Sequence, residues 1–143
     1  MDNPERNAAL DALTKQWGAY VLTFQYLSEA KQAEFLQRQG YHRLADLLAH
    51  VTAWWDLGMK SIRRYQSDPG YQGASIDVDA FNATAVENAK ELEEGDVIRA
   101  FERARVDFLE LVATLSDEDW KNPKISQRIH IELIGHYQEH VIE

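Results

Sequence analysis

Between residues 43 and 65 the apolar side chains Leu44, Leu47, Leu48, Val51, Trp54, Trp55, Ile62 and Tyr65 recur at steps of three, four and seven. That is the period at which one face of an α-helix meets a core, and a β-strand, with a period of two, cannot bury such a set on one side. The same spacing returns in Leu10, Leu13, Trp17, Tyr20, Val21 and Phe24. It returns again in Val97, Ile98, Phe101, Val106, Phe108, Leu109 and Val112, and in Ile129, Leu133, His136 and His140. Four amphipathic segments without a strand pattern predict an all-α four-helix bundle. A chain of 143 residues suits a single domain over 1–143, and 45% hydrophobic residues suffice for a core without staples. The absence of cysteine excludes disulfides, thiolate nucleophiles, zinc fingers and iron–sulfur clusters.

The boundaries follow from capping and breaking residues. Asn3 and Pro4 read as an N-cap followed by proline at the first helical position. Ser28 to Gln39, closed by Gly40, reads as one or two extra turns. The second long helix is expected from about Arg43 to Tyr65, followed by a loop at Ser67–Gly73 with a Pro-Gly turn signal. Asp79 is the expected N-cap of a third helix beginning at Ala80, interrupted or kinked at Gly95-Asp96 and ending near Leu115. Ser116 to Asp119 resembles a capping box for a short turn ended by Pro123, and a fourth helix is expected from about Ile125 to Ile142. The loop between the second and third helices, about 14 residues, reaches ~45 Å when extended. A 20-residue helix is only ~30 Å long. Such a loop can climb the bundle and start the third helix parallel to the second, which permits an up-down-down-up order.

The net charge of −9 argues against nucleic acid and against anionic membrane surfaces as partners. No stretch approaches the ~18 apolar residues of a membrane span. The first 13 residues lack the basic and apolar regions of a signal peptide, so a cytoplasmic location is the expectation. The acidic cluster Glu91, Glu93, Glu94 and Asp96 reads as a solvated helix end.

Five histidines are present. His136 and His140 stand at i, i+4 and continue an apolar stripe, so they share the inward face of one helix. His50, three residues after Leu47 and four before Trp54, lies on the inner stripe of another. Three neutral imidazoles from two helices can meet around one divalent metal ion and leave a coordination position open, as in a catalytic site. Zinc, nickel, copper, cobalt and iron all suit imidazole donors. Asp46, four residues before His50, and Glu132, four before His136, are spaced to accept the second ring N–H of each and fix its tautomer. His42 and His130 read as structural or surface residues. His136 to His140 also match the HxxEH pattern of inverted zinc proteases. Glu139, however, points about a third of a turn from the histidines, and no downstream ligand follows, so a protease is rejected and Glu139 is read as solvated or at an interface. Trp17, Tyr20, Trp54 and Trp55 are candidates to line a pocket, with at least two of them expected in the core. Trp54 and Trp55, about 100° apart on the helix, cannot face the same way.

Leu47-Leu48-Ala49-His50-Val51-Thr52-Ala53-Trp54 resembles the second-helix motif of the DinB-like superfamily, and Gly135-His136-Tyr137-Gln138-Glu139-His140 resembles its last-helix motif. Asp77-Val78-Asp79-Ala80-Phe81-Asn82 is similar to a segment often found before the third helix. The resemblance spans essentially the whole chain. It implies an up-down-down-up bundle with a long crossover between helices 2 and 3, a metal triad at His50, His136 and His140, and a homodimer. Relatives of that superfamily include thiol-dependent S-transferases, a mycothiol-dependent maleylpyruvate isomerase and small-molecule resistance hydrolases. The implied function is a metal-dependent enzyme, using zinc or nickel to activate water or a low-molecular-weight thiol against a small electrophilic substrate. Tyr137 is the only further catalytic candidate. The alternatives are a non-catalytic metal- or small-molecule-binding helical dimer, and a metal-free dimer whose histidines fill the core.

Overall fold

The computed structural model describes residues 2–143, and every regular element among them is helical. Helix α1 (Pro4–Asp11) starts as its residues dictate: the Asn3 side chain accepts from the Arg6 N–H, and Pro4 occupies the first turn. It continues through a wide π turn (Ala12–Gln16) to α2 (Tyr20–Gln25). Helix α3 (Glu29–Gln39) has 11 residues, longer than the one or two turns expected. Ser28 caps its start, and Gly40 ends it at φ 83, a left-handed conformation that glycine adopts without a Cβ penalty.

Helix α4 (Leu44–Ser67) is the longest element. The cap expected at Asp79 lies at Asp77 instead, whose carboxylate accepts from the Ala80 N–H, so α5 (Val78–Ala89) begins two residues early. Between α5 and α6 (Glu94–Thr114) the helix is fully broken at Lys90–Glu93, and Gly95-Asp96 sits inside the first turn of α6 where a kink was expected. Ser116 and Asp119 form the expected capping box of α7 (Asp117–Lys121). Pro123 then opens α8 (Pro123–His130), which passes through a second π turn (Ile131–Gly135) into α9 (His136–His140).

The apolar stripes meet in one core in which Trp17, Trp55, Phe101 and Phe108 are sealed from solvent. Helix α4 packs against α5, α6 and α8, and α1 packs against α6. Val106, expected on the inner stripe, is 45% exposed. Long-range hydrogen bonds tie the chain ends together. Arg6 donates to the Leu115 carbonyl, Arg105 to that of Leu13, and the Tyr20 hydroxyl to that of His140. No helix among the described residues is long and apolar enough to cross a membrane.

Candidate metal centre

His50 comes from the second turn of α4, and His136 and His140 from the two ends of α9. Each offers a ring nitrogen within 4.8 Å of the others. The ring centroids form a near-equilateral triangle of 5.1, 5.3 and 5.4 Å. All three rings are buried, at 6 to 8% exposure. Three buried histidines so arranged can hold a metal ion.

The hydrogen bonds of His140 fix its tautomer. Its Nδ1 lies 2.7 Å from Gln39 Oε1, while the Gln39 amide nitrogen donates to the Glu139 carbonyl at 3.2 Å. A carbonyl only accepts, so the amide cannot be turned around. Its oxygen therefore faces His140, and Nδ1 carries the proton. Nε2 is left with its lone pair, buried and without a hydrogen-bond partner among the described residues. At His136, Glu132 Oε1 lies 3.3 Å from Nδ1, an ion-pair separation that is not aligned as a hydrogen bond. The expected carboxylate beside this ring is thus in place, without the hydrogen bond that would fix the ring's tautomer. His50 Nδ1 is buried and unpartnered among the described residues. Buried polar atoms rarely go without partners; those of His50 and His140 fit a donor set for one cation, while that of His136 faces Glu132.

Asp46 does not take the role expected of it. Its carboxylate is held at 2.8 Å by Arg43, whose guanidinium also donates to the Ala89 and Leu92 carbonyls and so ties α4 to the end of α5. Near His50 stand instead the Tyr41 ring, at 5.7 Å, and Asn82 of α5. Gln39 and Asn82 are the neighbours that sequence reasoning missed. Both lie on other helices, and no spacing rule links them to a histidine.

Burial governs the titration of the site. It holds His136 down to about 3, aided by the charges that His140, His50 and Arg128 would place nearby. It holds His140 down to about 4, aided by His50. His50 is lowered by burial as well, against a favourable contact with Asn82. Glu132, 1% exposed, is pushed up to about 7 by burial, although Arg128 opposes the shift. Arg128 Nε lies 2.9 Å from Glu132 Oε2. The pair packs against α4 where Gly58 allows close approach: a Cβ there would meet Glu132 Cγ at 3.0 Å.

These shifts set the acid stability of the metal-free protein. Between pH 6.5 and about 4 the unfolded chain protonates residues 136 and 140 while the folded chain keeps both neutral. Stability is therefore lost as pH falls, at about 1.4 kcal/mol per pH unit for each such imidazole. Glu132 acts with opposite sign between pH 7 and 4.5, where the folded chain holds the extra proton, and offsets one of the two. The expected result is a net fall in melting temperature from pH 6.5 to 4. A flat profile over that range in metal-free protein would contradict the burial of neutral imidazoles.

Beside the triad is a cavity of about 270 Å³ lined by His50 and His136, by Trp54, Val78 and Asn82, and by Arg128, Ile131, Glu132 and Glu139. Of the four aromatics considered as pocket candidates, Trp54 alone lines it; Trp17, Tyr20 and Trp55 are core residues. Tyr137 packs edge-on against Trp17 and Tyr20, at 5.3 and 6.3 Å, and is not part of the cavity wall. Glu139 is exposed at the cavity, and His42 and His130 are exposed elsewhere.

The last helix owes part of its path to the core. The Trp55 indole donates to the Glu132 carbonyl at 3.0 Å, and the Trp17 indole to the Leu133 carbonyl at 2.9 Å. Both acceptors lie within the π turn between Glu132 and His136, and such turns recur at functional sites.

The chain matches no protein-family model, no curated protein and no solved structure.

Proposed function

We propose that His50, His136 and His140 hold one divalent transition-metal ion, zinc or nickel, and that the protein is a metal-dependent enzyme acting on a small electrophilic molecule in the adjoining cavity. The observation that carries this reading is the meeting of three buried imidazoles from two helices, with ring nitrogens within 4.8 Å of one another. When bound, such an ion acidifies water or a low-molecular-weight thiol and so supplies a nucleophile at neutral pH. The chain's own residues do the rest. Gln39 fixes the tautomer of His140, Glu132 stands beside His136, and burial disfavours the protonated form of all three rings. Trp54, Val78 and Ile131 give the cavity an apolar wall.

An up-down-down-up order is part of the same proposal. Arg6 meets Leu115 while Leu13 meets Arg105, which supports α1 running against α6. Trp55 stacks on Phe101, and Gln66 bonds Asp119, which supports α4 running with α6. The stretch from Asp68 to Glu93, which includes α5 running back along α4 from Trp54 to Arg43, is then the crossover. With the motifs around His50 and His136, this order supports membership of the DinB-like superfamily, from which the expectation of a homodimer comes.

Protein purified without a histidine tag is expected to carry zinc or nickel. With the ion at about 100 times its Kd, the gain is about 2.7 kcal/mol, on the order of 10 °C in melting temperature. No bound metal and no shift with either ion would overturn the reading. A panel of electrophiles, assayed with and without a low-molecular-weight thiol, then tests turnover. Metal binding without turnover on that panel would favour the non-catalytic binding module.

A further inference from the structure

We infer that the cavity beside the three histidines takes a small molecule bearing one carboxylate, anchored by the Arg128 guanidinium and the Asn82 amide, with its apolar body against Trp54, Val78 and Ile131. This deepens the metal-site reading and rests on it only for what happens to the ligand afterwards, because the anchor is built from other residues.

Arg128 has more donors than its neighbours can use. Its Nε faces Glu132 Oε2 at 2.9 Å, but Nη2 is buried and has no hydrogen-bond partner among the described residues. An atom so enclosed is out of reach from the cavity, so the donor that meets an incoming anion is Nη1, which is neither enclosed nor hydrogen-bonded among the described residues. Asn82 completes the pair. Its Oδ1 accepts from the Trp54 indole at 2.6 Å, and because an indole nitrogen only donates, this contact sets the amide orientation. The NH2 end of Asn82 is therefore a second donor on the same cavity wall.

Charge selects a monoanion. The wall carries one guanidinium and two carboxyl groups, Glu132 and Glu139. Glu132 is engaged by Arg128 and faces His136, and Glu139 is exposed, where solvent screens it. A single negative charge meets the free donors, whereas a phosphate dianion would meet the two carboxyl groups with too little positive charge to offset them. The rest of the lining suits an apolar body: Val78 and Ile131 are 51% and 57% exposed, and the Trp54 ring packs on Phe81 with its remaining surface toward the cavity. A volume of about 270 Å³ is at the small end for ligand sites, which limits that body to about the size of one ring.

The test uses benzoate, its uncharged counterpart benzamide and inorganic phosphate, titrated by NMR against the protein both metal-free and zinc-loaded. Benzoate is expected to shift the Trp54 indole N–H resonance and to bind at least about tenfold more tightly than benzamide in both forms, the equivalent of one charge-assisted hydrogen bond. Arg128→Lys keeps a cation beside Glu132 but removes the fork, and is expected to erase that preference while zinc still binds. Ile131→Glu, at an exposed position, is expected to weaken benzoate and leave benzamide unchanged, which keeps the test decisive should the Arg128 variant fold poorly. Equal binding of benzoate and benzamide would overturn the inference, as would phosphate competing as well as benzoate. So would a preference seen only with zinc and untouched by Arg128→Lys, since the ion alone would then hold the anion. Because the metal-free arm needs no ion, failure to bind zinc sinks the metal reading without touching this one.

Discussion

His140→Ala is expected to abolish tight metal binding while leaving a folded protein. The variant removes one of three imidazole donors whose nitrogens lie within 4.8 Å of one another. Loss of a hydrogen-bonding group behind a ligand ordinarily costs 10- to 100-fold in affinity, so loss of the ligand itself should exceed about 100-fold. The fold should survive, because His140 stands at the end of the last helix and its main partner is a single glutamine oxygen. Leaving that oxygen unpaired costs about 1–3 kcal/mol, within the stability of a domain this size. Gln39→Leu is the graded companion. It leaves all three rings but removes the acceptor that holds the proton on Nδ1 of His140, so a loss of about 10- to 100-fold is expected. Isothermal titration with zinc measures both. If His140→Ala bound zinc as tightly as the unaltered chain, the ion would not sit among the three histidines. If Gln39→Leu were silent, the tautomer argument would fail while the triad stood.

The legible part of this site is the part that rides on one helix. An i, i+4 spacing puts His136 and His140 on one face, and the same step back puts Glu132 beside His136, because helical geometry leaves little choice. His50 was legible through its stripe, since three residues after Leu47 and four before Trp54 put it on the helix face they share. Asp46 obeyed the same spacing toward His50 and yet went to Arg43, because a guanidinium three residues away, already bonded to two carbonyls of the α5 end region, competes better than a neutral ring. Gln39 and Asn82 were not legible. They reach the site from α3 and α5 by packing alone, whereas Arg128 stands one more step of four back from Glu132, a relation the spacing carried and sequence reasoning missed. The two π turns were equally hidden: each inserts a residue into an otherwise regular pattern without a proline, and the nearby Gly18 and Gly135 do not by themselves signal the insertion. The cap at Asp77 shows a finer limit. Asp77 and Asp79 are chemically the same N-cap signal two residues apart, and the backbone at Asp77, extended at φ −77 and ψ 101, settles which one the helix uses.

Trp54 and Trp55 present the sharpest test of the packing, because the two adjacent, identical side chains are expected to differ severalfold in what they contribute. Trp55 is sealed from solvent, stacks on Phe101 at 5.3 Å, and meets Trp17 and Phe108 edge-on at 5.1 and 6.1 Å. Truncation to alanine opens a cavity that rigid aromatic neighbours cannot fill, at about 3–5 kcal/mol. It also strips the donor from the Glu132 carbonyl inside the π turn, at about 1–3 kcal/mol more. Against a typical total of about 5–15 kcal/mol, Trp55→Ala is expected to leave the protein largely unfolded or close to it. Trp54→Ala removes a half-buried ring that packs on Phe81 and bonds Asn82, loosening α5 without opening the core, and is expected to cost about 1–2 kcal/mol. Trp55→Phe separates the two contributions at the inner position. It keeps a ring in the stack and removes the N–H, so the fold should hold while the segment carrying Glu132 loses its tether, and zinc affinity should fall more than the modest loss of stability would suggest. Urea denaturation followed by tryptophan fluorescence reads the first comparison, and zinc titration reads the second. Equal midpoints for Trp54→Ala and Trp55→Ala would mean that α4 is rotated from the orientation that turns His50 toward α9, and the metal centre would lose its geometry along with the core.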